Sequence, residues 1–461
     1  MAVALSLLSK IYVLKGEYTV AENQIERALE IYEEFFQPSH SSRVRAIANK
    51  ADIYQWQRKY EKAHAILTSQ LNKLEDEVGI LHPSTIYAAG SVAGNLYEWE
   101  KYQEAAVISR RAKSNAEKYY GADSAKVLPY LRQLALIERE LRFFDEAESL
   151  LDGALVIAGD KFGSDSIARL KIIEDIADSK LNQGKYREAE KLFRYCYDQY
   201  IKKVGPDHQL VFQILESLGD ALLDQSRYLE AKKKYEKALT VIQKLYSDQH
   251  PKIAVALTNI AHTYEKLGRW REAEKMRLQA LDIDRKFYGE EHPKVASRLN
   301  NLSVLYSSLR RDEEAIQLSI RAKKIVEKKL GKNNSLYMTV LHNLAIGYAN
   351  SGKEELSKPL ITEYIKLTSA KYDKDHPRMI VAYSLGALVL KDDLELKEKL
   401  LRAKLDLQIK HKGKNSEDVS ITLEDLAWLE IDRGNYSLAD KLLERAIAIL
   451  LAIYPKDHRK V

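Results

Sequence analysis

One polar residue recurs in eight successive places at a fixed interval: Asn49, Ser91, Gln133, Asp175, Ser217, Asn259, Asn301 and Asn343 stand 42 residues apart. Asp425 holds the same place in the last copy. A carboxamide both donates and accepts hydrogen bonds, so a row of them at equal spacing can hold the repeating amides of an extended chain. The same residues could instead bond to the neighbouring copy and fix how the copies stack. The run Asn259, Asn301 and Asn343 is the strongest candidate for peptide contact, and Asn300 and His342, one position earlier, would flank the strip.

Other reactive side chains are fewer. His82, His250, His292 and His376 each precede a proline, and His208 and His458 follow an aspartate. They recur about once per copy, so successive histidines are a full unit apart and no metal cluster is expected; helix-start or loop packing explains them. The single cysteine, Cys196, excludes an internal disulfide framework and fits a reducing, cytoplasmic setting. It falls in a column of small residues (Ala28, Ala112, Ala154, Ala238, Ala280, Ala322, Ala446) and reads as a buried substitute for alanine.

The elements that must carry these residues follow from the period. A segment opening "aromatic, x, x, Ala" is anchored at Tyr18, Tyr60, Tyr102, Phe144, Tyr186, Tyr228 and Trp270; the register continues through Asp312 and Glu354, slips by two to Leu394 and recovers at Tyr436. In the clearest copy Ile253, Leu257, Ile260, Ala261, Tyr264 and Leu267 are three and four residues apart, one stripe of a first helix. Gly268 supplies the turn, and Ala273, Met276, Ala280, Ile283 and Phe287 form the stripe of a second, antiparallel helix. Asn259 stands ~160° around the first helix from Leu257, away from the apolar stripe. Tyr264, Tyr306 and Tyr348 lie on that stripe and read as core. The period predicts an all-α solenoid of about eleven helix-turn-helix units over residues 1–461, not a globular enzyme core.

The turn sequences GKYREAE and GRWREAE and the connector YGEEHP resemble the tetratricopeptide repeat, in the 42-residue form found in kinesin light chains. LNNLSVLY at residues 299–306 and LHNLAIGY at 341–348 carry the same resemblance. It implies a right-handed superhelix whose concave groove, lined by the first (A) helices, receives a peptide or a partner's helix. In similar arrays, asparagines at the column position hold the backbone of a bound peptide. A non-catalytic scaffold or adaptor is therefore expected, with a regulatory or sensor arm of a larger assembly as the alternative.

Composition agrees. Hydrophobic residues make up 45% and charged residues 30%, with nine prolines, the balance of a soluble, helix-rich chain. The longest apolar run, residues 446–454, is too short to span a bilayer. The opening MAVALSLLSK lacks a basic leader and reads as the first helix. Phosphate-loop, dinucleotide, paired-histidine zinc and nucleophile-elbow motifs are absent, so neither catalysis nor a cofactor is expected. A net charge of +6 is small, and the polar column is neutral to acidic, which disfavours nucleic acid and favours a protein ligand.

Residues 397–414 hold Lys397, Lys399, Arg402, Lys404, Lys410, Lys412 and Lys414 and could attract an anionic partner, although a solvated outer helix looks the same. Smaller basic clusters lie at 232–234 and at Lys323, Lys324, Lys328 and Lys329. Lost anchors, Ser357 and Lys397 in place of alanine, and Pro359 inside a second helix predict irregular geometry over 354–400. No cap helix is evident at either end, and the chain is expected to be either a segment of a longer protein or covered there by partners.

Overall fold

The computed structural model describes residues 1–15, 17–57, 59–372, 374–389 and 393–453; His458 and the end of the last apolar run lie outside them. Among the described residues there are twenty-two α-helices and no strand. The chain divides into two compact units, Met1–Glu290 and Glu291–Val461.

The first unit contains seven antiparallel hairpins: α1 (Ala2–Leu14) with α2 (Tyr18–Phe35), α3 (Ser41–Trp56) with α4 (Tyr60–Val78), α5 (Pro83–Glu98) with α6 (Tyr102–Tyr120), α7 (Leu128–Glu140) with α8 (Phe144–Phe162), α9 (Ile167–Asn182) with α10 (Tyr186–Val204), α11 (Gln209–Asp224) with α12 (Tyr228–Leu245), and α13 (Pro251–Lys266) with α14 (Trp270–Tyr288). The second contains four: α15 (Pro293–Ser308) with α16 (Asp312–Leu330), α17 (Ser335–Asn350) with α18 (Glu354–Lys371), α19 (Arg378–Val389) with α20 (Leu394–Lys412), and α21 (Glu417–Asp432) with α22 (Tyr436–Ile453). Odd-numbered helices are the A helices. Every predicted anchor, including Asp312, Glu354 and the displaced Leu394, is the first residue of an even-numbered B helix.

The same local chemistry recurs at the joints among the described residues. The residue two before the anchor takes a left-handed backbone: Gly184, Gly268, Gly352 and Gly434 do so without a Cβ to obstruct them, but Glu100, Arg142, Ser226 and Arg310 adopt it too, at φ of 59° to 67°. At the start of the A helices, Nδ1 of His40, His82, His208, His250 and His292 accepts the backbone N–H two residues on. His376 does the same with Arg378. This fixes the role of the histidine column, since a helix N-terminus leaves N–H groups without intrahelical partners.

Small side chains let the two helices of each hairpin approach. Ala21, Ala63, Ala105, Ala147, Ala189, Ala231 and Ala273 are all fully buried. Ser357, which interrupts that column, is equally buried, and its hydroxyl donates to the Ala345 carbonyl at 2.7 Å. Cys196 is buried as expected; burial pushes its thiol up to about 12, and its S–H points to the Leu170 carbonyl at 3.6 Å. The helix containing Pro359 is continuous from Glu354 to Lys371.

Candidate functional site

A recess of the first unit lies on the A-helix face, bounded by α3, α5, α7 and α9, with a volume of about 960 Å³. Ser91, Gln133 and Asp175 of the polar column line it, so the structure brings three of the candidate residues together. The space has a covalent origin. Gly90 and Gly94, one turn apart inside α5, present no side chain to α7; a Cβ on Gly90 would stand 3.1 Å from the Tyr130 ring, and one on Gly94 3.3 Å from the Gln133 amide. Tyr87, Tyr97 and Tyr130 supply aromatic walls, and Arg45 and Asp52 of α3 close one end.

Electrostatically the recess is mixed. Burial raises the Asp52 carboxyl, against the pull of Lys10, and raises the Tyr130 phenol to about 12. Arg132 is bidentate to Asp175, with its Nη2 3.1 Å from Oδ1, and that bond holds the guanidinium above its ordinary pKa. Beyond Asp175 the face becomes acidic. Burial raises Asp178 to about 6 and Glu216 to about 7, and it raises Glu174 and Asp220 as well, with Tyr200 and Tyr235 donating to the last two.

The polar column also bonds across the stack. Gln133 Nε2 donates to the Gly90 carbonyl at 2.9 Å, Asp175 accepts from Arg132, and Asn259 Nδ2 donates to Glu216 at 3.1 Å. In the second unit Asn343 Nδ2 donates to Asn300 Oδ1 at 2.9 Å. In each case the partner sits 43 residues earlier, one repeat and one residue back. Ser91 and Ser217 turn inward, donating to carbonyls four residues earlier in their own helices. Asn49 and Asn301 are half-buried with no side-chain hydrogen bond among the described residues.

Asn300 is buried rather than presented on a surface. His342 packs against the Tyr364 ring at 5.5 Å, its Nδ1 is buried without a partner, and burial lowers its pKa. Asp425 accepts from Lys404, which is itself buried, at 3.2 Å.

The basic run at 397–414 is largely neutralised. Besides Lys404, Arg402 pairs with Glu398, Lys410 with Asp375 and Lys412 with Asp418. Glu398 lies within the run, but Asp425, Asp375 and Asp418 lie outside it, where a count of charges along the run does not find them. The sequence reading also passed over Tyr87, Tyr130, Arg45 and Asp52. The signal available was the pair of glycines inside a helix whose other copies carry none at those places.

Tetratricopeptide repeat models match residues 210–286 and 252–328, and also 1–42 and 420–459. Seven hairpins in the first unit and four in the second keep that register. The matched segments are tetratricopeptide repeats. This repeat protein is similar in fold to the apo quorum sensor NprR of B. thuringiensis, at 14% identity over 79% of this chain and 98% of that one, with a TM-score of 0.52. It is similar too to aspartyl phosphate phosphatase F of Bacillus subtilis, at 14% identity over 80% and 94%, with a TM-score of 0.50. Nearly identical TPR-like repeats assigned to a kinesin light chain of Podosopora anserina align at 20% identity over 44% of this chain and 97% of theirs, with a TM-score of 0.39. Among curated protein sequences none matches the repeat protein. No helix among the described residues is long and apolar enough to cross a membrane.

Proposed function

We propose that this repeat protein is a non-catalytic scaffold whose A-helix face binds an extended segment of a protein partner. The recess formed by α3, α5, α7 and α9 carries the reading, because it combines aromatic walls with backbone-binding groups in a volume suited to peptide side chains. Tyr87 and Tyr130 offer rigid surface at small entropic cost, and the free lone pairs of Gln133 and Ser91 offer backbone contacts. In the second unit Asn301 and Asn343, with His342 beside them, form a separate strip of the same kind.

The test uses peptides selected from a random library on the full chain. Their affinity is compared with that for the double variant Tyr87→Ala, Gln133→Ala after its helicity and melting are checked. A loss of tenfold or more is expected; selected peptides that bind the folded variant equally well would sink the assignment.

A regulatory or sensor arm is the second reading, favoured by the fold shared with NprR, a quorum sensor. It requires peptide binding to change a property of another domain or subunit. Peptide binding that leaves every associated activity unaltered would decide for the scaffold.

A further inference from the structure

A second opening lies on the B-helix side of the second unit and is unrelated to the A-helix face. Helices α16 and α18 flank a groove of about 650 Å³ whose floor is Leu344 and Tyr348 of α17. Its walls are apolar: Ile320 on α16 is 39% exposed, and Leu356 on α18, with Leu360 behind it, is 51% exposed. Lys323, Lys324 and Lys328 rim it against the single acid Glu327.

Leu356 departs from the repeat. Two residues after the anchor, the six preceding repeats carry Glu104, Glu146, Glu188, Glu230, Glu272 and Glu314. An acid there faces the positive end of its helix, and in three of them it pairs with the arginine just before the helix, as in Arg227–Glu230, Arg269–Glu272 and Arg311–Glu314. In the ninth repeat the position is leucine, and the preceding Lys353 reaches instead to Glu313 of α16 at 2.7 Å. Leu396 and Leu438 take the same place in repeats ten and eleven; Leu356 is continuous with Ile320 and Leu360 around the groove, and an exposed apolar patch of that kind marks a surface that is covered at times.

The rim says by what. Lys324 is exposed and has no acid within ion-pair distance among the described residues. Lys328 pairs with Glu291 at 2.6 Å, a surface pair that is weak and exchangeable, and Lys323 holds Glu327 at 3.3 Å while its ammonium also stands 5.5 Å from the centre of the Tyr337 ring. Apolar walls spaced along two helices, rimmed by lysine, complement a helix with an apolar stripe flanked by carboxylates. We propose that the groove between α16 and α18 docks an acidic amphipathic helix of a partner protein.

The probe is a labelled helical peptide with a leucine stripe flanked by glutamates, titrated against the full chain by fluorescence anisotropy beside a twin flanked by lysines. The glutamate peptide is expected to bind at least about tenfold more tightly than its twin, a difference of roughly 1.4 kcal/mol. Leu356→Glu, which introduces the residue of repeats three to eight, and Lys324→Glu should each remove about tenfold or more of that affinity, while Leu356→Met retains it. Because Leu356→Glu places on an exposed first turn the acid that repeats three to eight carry there, it is expected to melt no lower than the parent. Equal binding of the two peptides, or an affinity unmoved by Leu356→Glu, overturns the proposal. So does binding confined to phosphatidylserine vesicles, which would assign the groove to a lipid surface. Tyr87→Ala with Gln133→Ala should leave this binding unchanged, which separates the result from that at the A-helix face.

Discussion

Gln133 on α7 donates its side-chain N–H to the backbone carbonyl of Gly90 on α5, 2.9 Å away, and so ties two repeats together at the edge of the recess. The approach depends on glycine, since a side chain on Gly90 would crowd Tyr130 and the amide together. Gln133→Ala removes one inter-repeat hydrogen bond without leaving Gly90 unsatisfied, because that carbonyl remains in its own helix. A loss of about 1 kcal/mol is expected, read as a lower midpoint in urea with an unchanged slope.

The cap histidine His292 should make the fold acid-sensitive. His292 is lowered to about 4, first by burial and then by Lys294 and Lys329, below the unfolded value of ~6.5. Between these values the unfolded chain binds the proton and the folded chain does not. The contribution is therefore complete above the unfolded value and is lost as pH falls through it towards the folded one. His292→Asn keeps an acceptor at the cap without a titrating group. The melting temperature of the parent should fall further than that of the variant on acidification, and parallel curves would refute the assignment.

Arg310 is exposed and holds a left-handed backbone at φ 59°, where four other repeats use glycine. Arg310→Gly removes a Cβ penalty and should stabilise the protein by about 1 kcal/mol, partly offset by glycine's greater freedom when unfolded. Thermal melting measures it directly. Gly352→Arg, the reverse change at φ 71°, should lower the melting point.

Cys196 is fully buried with a raised thiol pKa, so a thiol-specific reagent should leave the native protein unmodified and label it once it is unfolded. Cys196→Ala, which restores the commonest residue of its column, should fold with a small loss of stability. Rapid labelling in native buffer would contradict the packing.

Much of this was legible in the sequence because the repeat averages out local noise: eleven anchors mark eleven B-helix starts, even where Asp312 and Glu354 replace the aromatic. The site was less so. Periodicity showed that the asparagine column leaves the apolar stripe, but one repeat viewed alone does not reveal a partner 43 residues back, as in Asn343 and Asn300. The partners become visible when neighbouring columns are compared pairwise, since Arg132 faces Asp175 and Glu216 faces Asn259. The recess depends on missing atoms at Gly90 and Gly94, and hydrophobic patterning gives no weight to an absent side chain.

Those 43-residue bonds differ in kind from joint to joint: amide to carbonyl at Gln133, guanidinium to carboxylate at Asp175, amide to carboxylate at Asn259, amide to amide at Asn343. The copies are thus alike in shape but not interchangeable in order. Swapping the A helices that carry Asp175 and Asn259 would set Asp175 against Glu216, two like charges where an amide now bridges. Each of these four joints works as a key for one neighbour, so part of the succession of repeats is itself encoded, and shuffled arrays of the same units should assemble less well than the natural order.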